Sequence, residues 1–157
     1  MAEDHAHSTL AFLLSQVGIH ASQRFAQRLA AIDLQPPQFR VMNAIDAREG
    51  SSQQAIAAAI GAPPSRMVAI VDDLEARGLL ERRPHPGDRR VRALHLTAPG
   101  RRLLARARKL AAEHEEDLAG GLSQADRKRL VALLQKLVEE QEIGAGVHPG
   151  LSGSDDR

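Results

Sequence analysis

The sequence predicts a mainly α-helical protein that carries a small antiparallel β wing. Apolar residues recur at helical spacing through most of the 157 residues, and a chain of that length suits one domain. The chain has no Trp or Tyr and only three Phe, so its core must be built from Leu, Ile, Val and Ala, which favours packed helices. The exception to the helical pattern is a pair of short alternating runs around the turn sequence His-Pro-Gly-Asp at 85–88.

The N-terminal part of the chain predicts one long helix after a short tail. Residues 1–7 show no periodicity and are predicted to be disordered. The helix is expected from Ser8 or Thr9 to about Ala31, with an apolar face wider than a surface helix needs. Two consecutive prolines then enforce a break, because the residue before a proline avoids the helical region. We expect segment 8–33 to be an N-terminal dimerisation helix.

The middle of the chain predicts three shorter helices. Those over 37–48 and 53–60 are each followed by a glycine that permits a tight turn. The third, over 63–77, begins with two prolines, which suit a first helical turn. Gly78 fits the left-handed residue that often ends a helix. The buried stripe of the third helix is predicted to contain Val68, Ile70, Val71 and Leu74.

A two-stranded hairpin is predicted directly after the third helix. Residues 79–83 suit a short strand, and the period-two pattern of 91–96 suits the return strand. Helix, tight turn, helix and hairpin is the order of a winged helix-turn-helix, which we assign to residues 34–97. The recognition helix is then 63–77 and the wing is 82–92.

Two further helices are predicted after the wing. Thr97 is placed to cap a long helix that ends near Leu118, and Ser123 is placed to cap the last one. We expect segment 98–143 to hold C-terminal dimerisation helices, and residues 144–157 to form a disordered tail.

The apolar stripes of the terminal helices exceed what one winged module can cover. Burial against a second copy of the chain is the simplest solution, since two-fold dimers are the commonest oligomers and match pseudo-palindromic DNA sites. The alternative is a monomeric bundle folded back on itself. The predicted interface consists of Leu10, Leu13, Leu14, Val17, Leu130, Leu133, Leu134, Leu137 and Val138.

Positive charge is concentrated in one part of the chain. The formal net charge is only +1, but residues 77–109 carry eleven Lys or Arg against two acids. That segment is therefore +9 and the remainder −8. Such asymmetry in a small domain indicates a polyanionic partner, and double-stranded DNA fits it. The alternative is a solvated helical face.

Several classes of protein are excluded or disfavoured. The absence of Cys excludes disulfides and thiol chemistry, and no apolar run reaches membrane-spanning length. The first residues do not resemble a secretion signal, so we expect a cytoplasmic protein. The sequence has no Gly-rich phosphate loop, no His-Glu-x-x-His and no Ser elbow, and we predict no enzyme activity. A helical protein-interaction module is a second alternative, but it would not need an Arg-rich hairpin.

Three short motifs occur together along the chain. They are Leu34-x-Pro36-x-Gln38, Asp72-x-Leu74-Glu75-x-Arg77-Gly78-Leu79, and Asp88-x-Arg90 followed by Leu96-Thr97. In combination they resemble the multiple antibiotic resistance regulator (MarR) family over about residues 9–142. The resemblance implies a homodimeric winged-helix transcription regulator, usually a repressor, that a small and often aromatic or phenolic ligand releases from DNA. It also implies that Arg90 enters the minor groove while Asp88 holds the loop by a salt bridge; alternatively, Asp88 only caps the turn.

Candidate DNA contacts follow from side-chain chemistry. Wing arginines suit the negative potential of a narrow minor groove, and Arg66 can make the bidentate contact with guanine. Val68 would touch a thymine methyl group if it is not buried, whereas Asp73 should keep its edge of the helix away from phosphate. Short polar side chains near helix starts suit phosphate oxygens. The predicted set is Gln38, Ser51, Ser52, Gln53, Ser65, Arg66, Arg83, Arg89, Arg90 and Arg92.

An effector site is expected between the first, second and post-wing helices, because the resemblance implies a ligand there. The candidates are His20, Arg24, Phe39, Met42, Leu110 and His114. No cofactor is predicted, and the identity of the effector is open. Seven His also raise a metal-responsive regulator of the same fold as an alternative, although no helix carries His at i and i+4. No metal ligands are therefore assigned.

Overall fold

This computed structural model describes residues 9–85 and 87–143, without the side chains of Asp88 and Arg89. Both predicted tails lie outside the described residues. The described part of the chain forms six α-helices and two β-strands, which we number in chain order. They are α1 (Leu10–Ala30), α2 (Pro36–Ala47), α3 (Gln53–Ile60), α4 (Pro64–Ala76), β1 (Leu80–His85), β2 (Asp88–Leu96), α5 (Ala98–Ala119) and α6 (Gln124–Glu140).

The helix ends follow the capping signals of the sequence. The hydroxyl groups of Thr9, Ser52, Thr97 and Ser123 each accept a hydrogen bond from a backbone N–H in the first turn of the helix that follows. Gly78 has a φ of +67°, the left-handed conformation predicted for it. The helices begin and end within one or two residues of the predicted positions.

The core lies between α2, α3, α4, the base of the wing and one face of α5. Recognition helix α4 turns Met67, Ile70, Val71 and Leu74 inward. The predicted stripe was therefore wrong at one position, because Val68 is 44% exposed and Met67 takes its place in the core. Val68 instead belongs to the outward face of α4.

The wing is longer than predicted and is fixed at its base. The antiparallel pairing of β1 with β2 runs from Leu80 opposite Leu96 to His85 opposite Asp88, with an irregularity after Pro84. At the base, the backbone of Leu94 exchanges hydrogen bonds with residues 50 and 51, which precede α3. A third chain segment therefore holds the wing against the helix-turn-helix.

Two tight contacts position the neighbouring helices. Gly100 in the first turn of α5 lies against the backbone of Leu79, where an added Cβ would come within 1.9 Å of the carbonyl oxygen. Arg40 on α2 donates to the carbonyl oxygen of Ile60 at 3.1 Å, and its partial burial lowers its pKa. The second contact fixes the turn that joins α3 to the recognition helix.

The terminal helices leave a large apolar surface uncovered. α1 packs on α5, yet its N-terminal half exposes large hydrophobic side chains, with Leu10 at 63%. No residue of α6 is buried, and Leu133 is 54% exposed. Of the nine residues predicted for the dimer interface, seven are exposed and two, Leu134 and Leu137, are half-buried. Phe12, Ile19, Leu118, Leu122 and Val131 are exposed as well, and the sequence analysis did not identify them.

No single helix within residues 9–85 and 87–143 is long and apolar enough to cross a membrane. The helices α3 and α4 reach that length and composition only as a pair, and the pair is bent by 119°.

Candidate nucleic-acid interface

The outward face of α4 is small and mostly uncharged. Ser65, Val68, Ala69 and Asp72 are exposed along it, and Arg66 is half-buried beside them. Among the described residues, Arg66 forms no ion pair and no side-chain hydrogen bond, so its guanidinium is available to a partner. Hydrogen-bonding capacity is therefore concentrated in the first turn of the helix, while the middle of the face presents methyl groups.

The wing carries exposed arginines on both strands. Arg83, Arg90 and Arg92 are exposed, and Arg83 pairs with Glu81 on its own strand. Arg92 lies opposite Pro84 in the hairpin and forms no ion pair with the described residues. The predicted roles of Arg89 at the tip and of Asp88 in shaping the loop concern side chains outside the described part of the chain. The described arginines suit contact with a phosphate backbone.

Arg82 has a different environment from its neighbour Arg83. Its guanidinium forms ion pairs with Asp72 and Glu75 of α4, and it donates to Oε1 of Gln53 at 3.2 Å. Partial burial lowers the pKa of Arg82, but hydrogen bonds and Coulombic attraction from the two carboxylates outweigh it, and the pKa lies above its ordinary value. Because two acids compensate its charge, Arg82 ties the wing to the recognition helix.

The start of α3 holds three residues with predicted phosphate contacts, Ser51, Ser52 and Gln53. All three are partly exposed near the N-terminus of the helix. Ser52 uses its oxygen to cap Ala55 N–H at 3.1 Å, and the oxygen of the Gln53 amide accepts from Arg82. The Gln53 amide nitrogen remains a donor that can meet a phosphate oxygen.

Gln38 departs from the predicted set. It is buried, its oxygen accepts the Gln35 N–H at 2.8 Å, and its nitrogen donates to Asp73 at 2.6 Å. Asp73 also pairs with Arg77, which contacts the backbone and the carboxylate of Asp33 after α1. The prediction that Gln38 contacts phosphate was therefore wrong, because both ends of its amide are used inside the protein. Asp73 faces this network, and its carboxylate is used by Gln38 and Arg77.

Much of the positive charge of segment 77–109 is compensated by acids from other parts of the chain. Arg101 pairs with Glu49, and Arg108 pairs with Asp46 at 2.8 Å. Arg77 and Arg82 are paired as described above. Among the described residues, the cations without an ion pair include Arg92 on the wing, Arg66 in the first turn of the recognition helix, and the exposed positions 102 and 106 of α5.

A cleft of about 530 Å³ lies between α1 and α5. It brings together three of the six predicted effector residues, His20, Arg24 and His114. The acids that line the cleft already have partners, since Asp117 pairs with Arg28 and Glu116 pairs with Arg127 of α6 at 2.9 Å. Arg24 forms no ion pair with the described residues. The cleft is therefore suited to an anion.

The other predicted effector residues lie elsewhere. Met42 is fully buried in the core, so its prediction as a ligand contact was wrong, because the inward face of α2 packs against α3, α4 and α5. Phe39 and Leu110 are half-buried. Phe39 contacts Phe25 edge to face at 5.7 Å, and Phe25 stacks on His114 at 5.4 Å. Phe25 thus connects the cleft with α2, a role that sequence reasoning missed because Phe25 fitted the apolar face of its helix.

The described residues contain no group of three or more His, Asp or Glu that could hold a metal ion. The histidines at positions 5 and 7 lie outside the described part of the chain, so they do not bear on this statement. The metal-responsive alternative therefore finds no support in the described geometry.

Comparison with known proteins identifies relatives among transcriptional regulators. A family model described as the MarR family matches residues 32–91. A protein of Thauera aromatica named as a transcriptional regulatory protein for the hcr operon is 34% identical over 140 residues, which cover 88% of this chain and 84% of the relative.

Two solved structures of the transcriptional repressor CouR are also similar to this chain. CouR bound to a 23-mer DNA duplex has a TM-score of 0.75 and 36% identity, covering 85% of this chain and 94% of the other. CouR bound to p-coumaroyl-CoA has a TM-score of 0.69 and 35% identity, covering 84% and 93%. The similarity spans the winged module and the flanking helices of this chain.

The contrast between Arg82 and Arg83 gives a prediction for stability. We expect Arg82→Ala to lower the free energy of unfolding by about 1–2 kcal/mol, because it leaves Asp72 and Glu75 close together without a cation. Arg83→Ala, on the same strand, should change it by less than about 0.5 kcal/mol. Urea denaturation followed by circular dichroism measures both values. Equal effects of the two substitutions would contradict the assigned role of Arg82.

Proposed function

The chain belongs to the MarR family of DNA-binding transcriptional regulators, and we propose that it acts as a homodimeric repressor that a small anionic aromatic ligand releases from DNA. The observation that carries the proposal is the combination of two surfaces on one chain. The wing exposes arginines beside the outward face of α4, while the first and last helices, α1 and α6, expose large apolar side chains. One surface suits duplex DNA and the other suits a second copy of the chain.

The dimer is supported by the extent of the apolar exposure. Monomeric proteins rarely expose contiguous apolar patches of large size, and leucines at 54% and 63% exposure occupy both terminal helices here. A two-fold dimer would bury this surface and present two recognition helices. Their separation should match half-sites one helical turn apart, roughly 34–36 Å, in a pseudo-palindromic operator.

We propose that the DNA contacts divide into two kinds. Arg66 and Ser65 enter the major groove from the first turn of α4, where Arg suits guanine. Arg83, Arg90 and Arg92, with the tip residue Arg89, contact the backbone and the minor groove, as wing arginines suit its negative potential. Ser51, Ser52 and the Gln53 amide hold the phosphate backbone at the start of α3, without reading its sequence.

We propose that the effector enters the cleft between α1 and α5. Arg24 offers an uncompensated positive charge, and His114, whose ring stacks on Phe25, offers an aromatic group in the lining of the cleft. The relative CouR is a repressor whose solved structures include complexes with DNA and with p-coumaroyl-CoA. An aromatic acid or its thioester therefore suits the chemistry of this cleft.

The position of the cleft supports a route from ligand to DNA. α1 belongs to the proposed dimer interface, and α5 follows directly from the wing. A ligand between them therefore contacts both a dimerisation helix and a helix that is connected to the wing. A ligand shifts an equilibrium only when it binds two states differently. We propose that it favours an arrangement in which the two recognition helices no longer match the spacing of the half-sites.

The dimer is tested by one substitution on α6. Leu133→Glu places a carboxylate in the apolar row, and we expect it to convert the protein from twice the mass of one 17.0 kDa chain to a single chain. Analytical ultracentrifugation at micromolar concentration measures the mass. Gln135→Glu introduces the same group at an exposed polar position of the same helix and should leave the dimer intact. If the Leu133→Glu protein stays dimeric, the assignment of α6 to the dimer interface is wrong.

The effector site is tested with p-coumaroyl-CoA as the probe. We expect this compound to release the protein from a duplex enriched by selection, and Arg24→Ala to need about tenfold more of it, since a hydrogen bond to a charged group contributes about 1.5 kcal/mol. Fluorescence anisotropy of a labelled duplex measures release. Arg129→Ala removes a charge from an exposed position of α6 and serves as the control. The same response in both variants would exclude Arg24 from the effector site. If p-coumaroyl-CoA does not release the unaltered protein at any concentration, aromatic thioesters are excluded as the ligand class.

A further inference from the structure

The middle of the outward face of α4 has an unusual composition for a surface that reads DNA. Side chains that recognise bases by hydrogen bonds occur in its first turn, at Ser65 and Arg66. The next outward positions are Val68 and Ala69, and both are exposed. One turn further along, the carboxylate of Asp72 is held by Arg82 of the wing. Nothing in the middle of this face can donate or accept a side-chain hydrogen bond.

We propose that Val68 and Ala69 are specificity-determining residues that recognise the C5-methyl group of thymine near the centre of each half-site. In the major groove, the thymine methyl is the apolar group that a standard base pair presents to a side chain, and apolar contact is the way proteins read it. Val68 is 44% exposed, so its methyl groups are available rather than buried in the core. This inference rests on the proposed entry of α4 into the major groove.

The contact between Asp72 and Arg82 supports the assignment. An uncompensated carboxylate one helical turn after Val68 would repel the phosphates on either side of the groove. The ion pairs of Arg82 with Asp72 and Glu75 reduce that repulsion and hold the wing beside α4. The methyl-bearing middle of the helix can therefore approach the floor of the groove.

The chemistry predicts a specific pattern of base preference. Arg66 should select guanine at one base position. At the neighbouring position, Val68 and Ala69 should select thymine over cytosine, adenine and guanine. Deoxyuridine pairs with adenine as thymine does but lacks the C5-methyl group. Replacing thymine by deoxyuridine therefore removes only the contact proposed for Val68 and Ala69.

The test uses the full-length dimer and a duplex library with a random core. The enriched duplex is resynthesised with each thymine replaced in turn by deoxyuridine, and affinities are measured by fluorescence anisotropy. We expect one or two thymines in each half-site to lose about fourfold in affinity, because a buried methyl group contributes about 0.8 kcal/mol and 1.4 kcal/mol is tenfold. Thymines outside the half-sites should show no loss and serve as the internal control.

Val68→Ala connects the effect to the side chain. In this variant the penalty for deoxyuridine should fall to less than twofold at one of the sensitive positions, while the thermal unfolding temperature stays within about 2 °C of the parent protein, since an exposed side chain is removed. Equal affinities for all the deoxyuridine duplexes would overturn the inference, as would enriched half-sites without thymine or a penalty that Val68→Ala leaves unchanged. Failure to enrich any duplex would instead overturn the proposed DNA binding itself, and the inference with it.

Discussion

The ion-pair cluster around Arg82 is the interaction on which the proposed DNA-binding surface depends. It joins β1 of the wing to Asp72 and Glu75 of the recognition helix and reaches Gln53 at the start of α3. Three consecutive elements of the chain are thereby held in one orientation. A wing that moved freely would place its arginines at no fixed distance from α4, and simultaneous contact with both grooves would carry a larger entropic cost.

The distribution of charge depends on the same kind of internal pairing. The sequence assigns a large positive excess to residues 77–109, yet Arg77, Arg82, Arg101 and Arg108 pair with acids from other elements. Those pairs stabilise the contacts between helices, wing and loops. The charge that remains available to a polyanion is smaller than the local sum suggests. Local charge therefore indicates the class of partner, but the tertiary contacts select the residues that face it.

The order of elements could be predicted from sequence because its signals are local. Prolines, glycines and capping hydroxyls lie within a few residues of the boundaries that they determine, and α3 was predicted over the residues it occupies. The face of α4 was harder to predict. Met67 and Val68 are both apolar and point about 100° apart on a helix. The packing of the core, rather than the hydrophobic pattern, therefore decides which of the two side chains is buried. The structure buries Met67 and exposes Val68.

The errors at the sites share a physical reason, which is contact between residues distant in sequence. Gln38 meets Asp73 across 35 positions, and no local pattern relates an amide on α2 to an acid on α4. Met42 was predicted as a ligand contact because the family resemblance implies a ligand next to α2, but its side of the helix packs on the core. Phe25 was overlooked because its aromatic contacts with Phe39 and His114 join three helices. Residue type and spacing identified the region of each site, whereas side-chain direction required the packed fold.

The salt dependence of duplex binding tests the central claim most directly, because counterion release measures how many phosphates the protein neutralises. If Arg83, Arg90 and Arg92 of two protomers each meet a phosphate, the logarithm of affinity should fall against the logarithm of salt concentration with a slope of about −5. Measurement of this slope for the wild-type protein on an enriched duplex, between low and physiological salt, needs no variant. A slope between zero and about −1 would contradict the assignment of the wing and recognition helix to DNA.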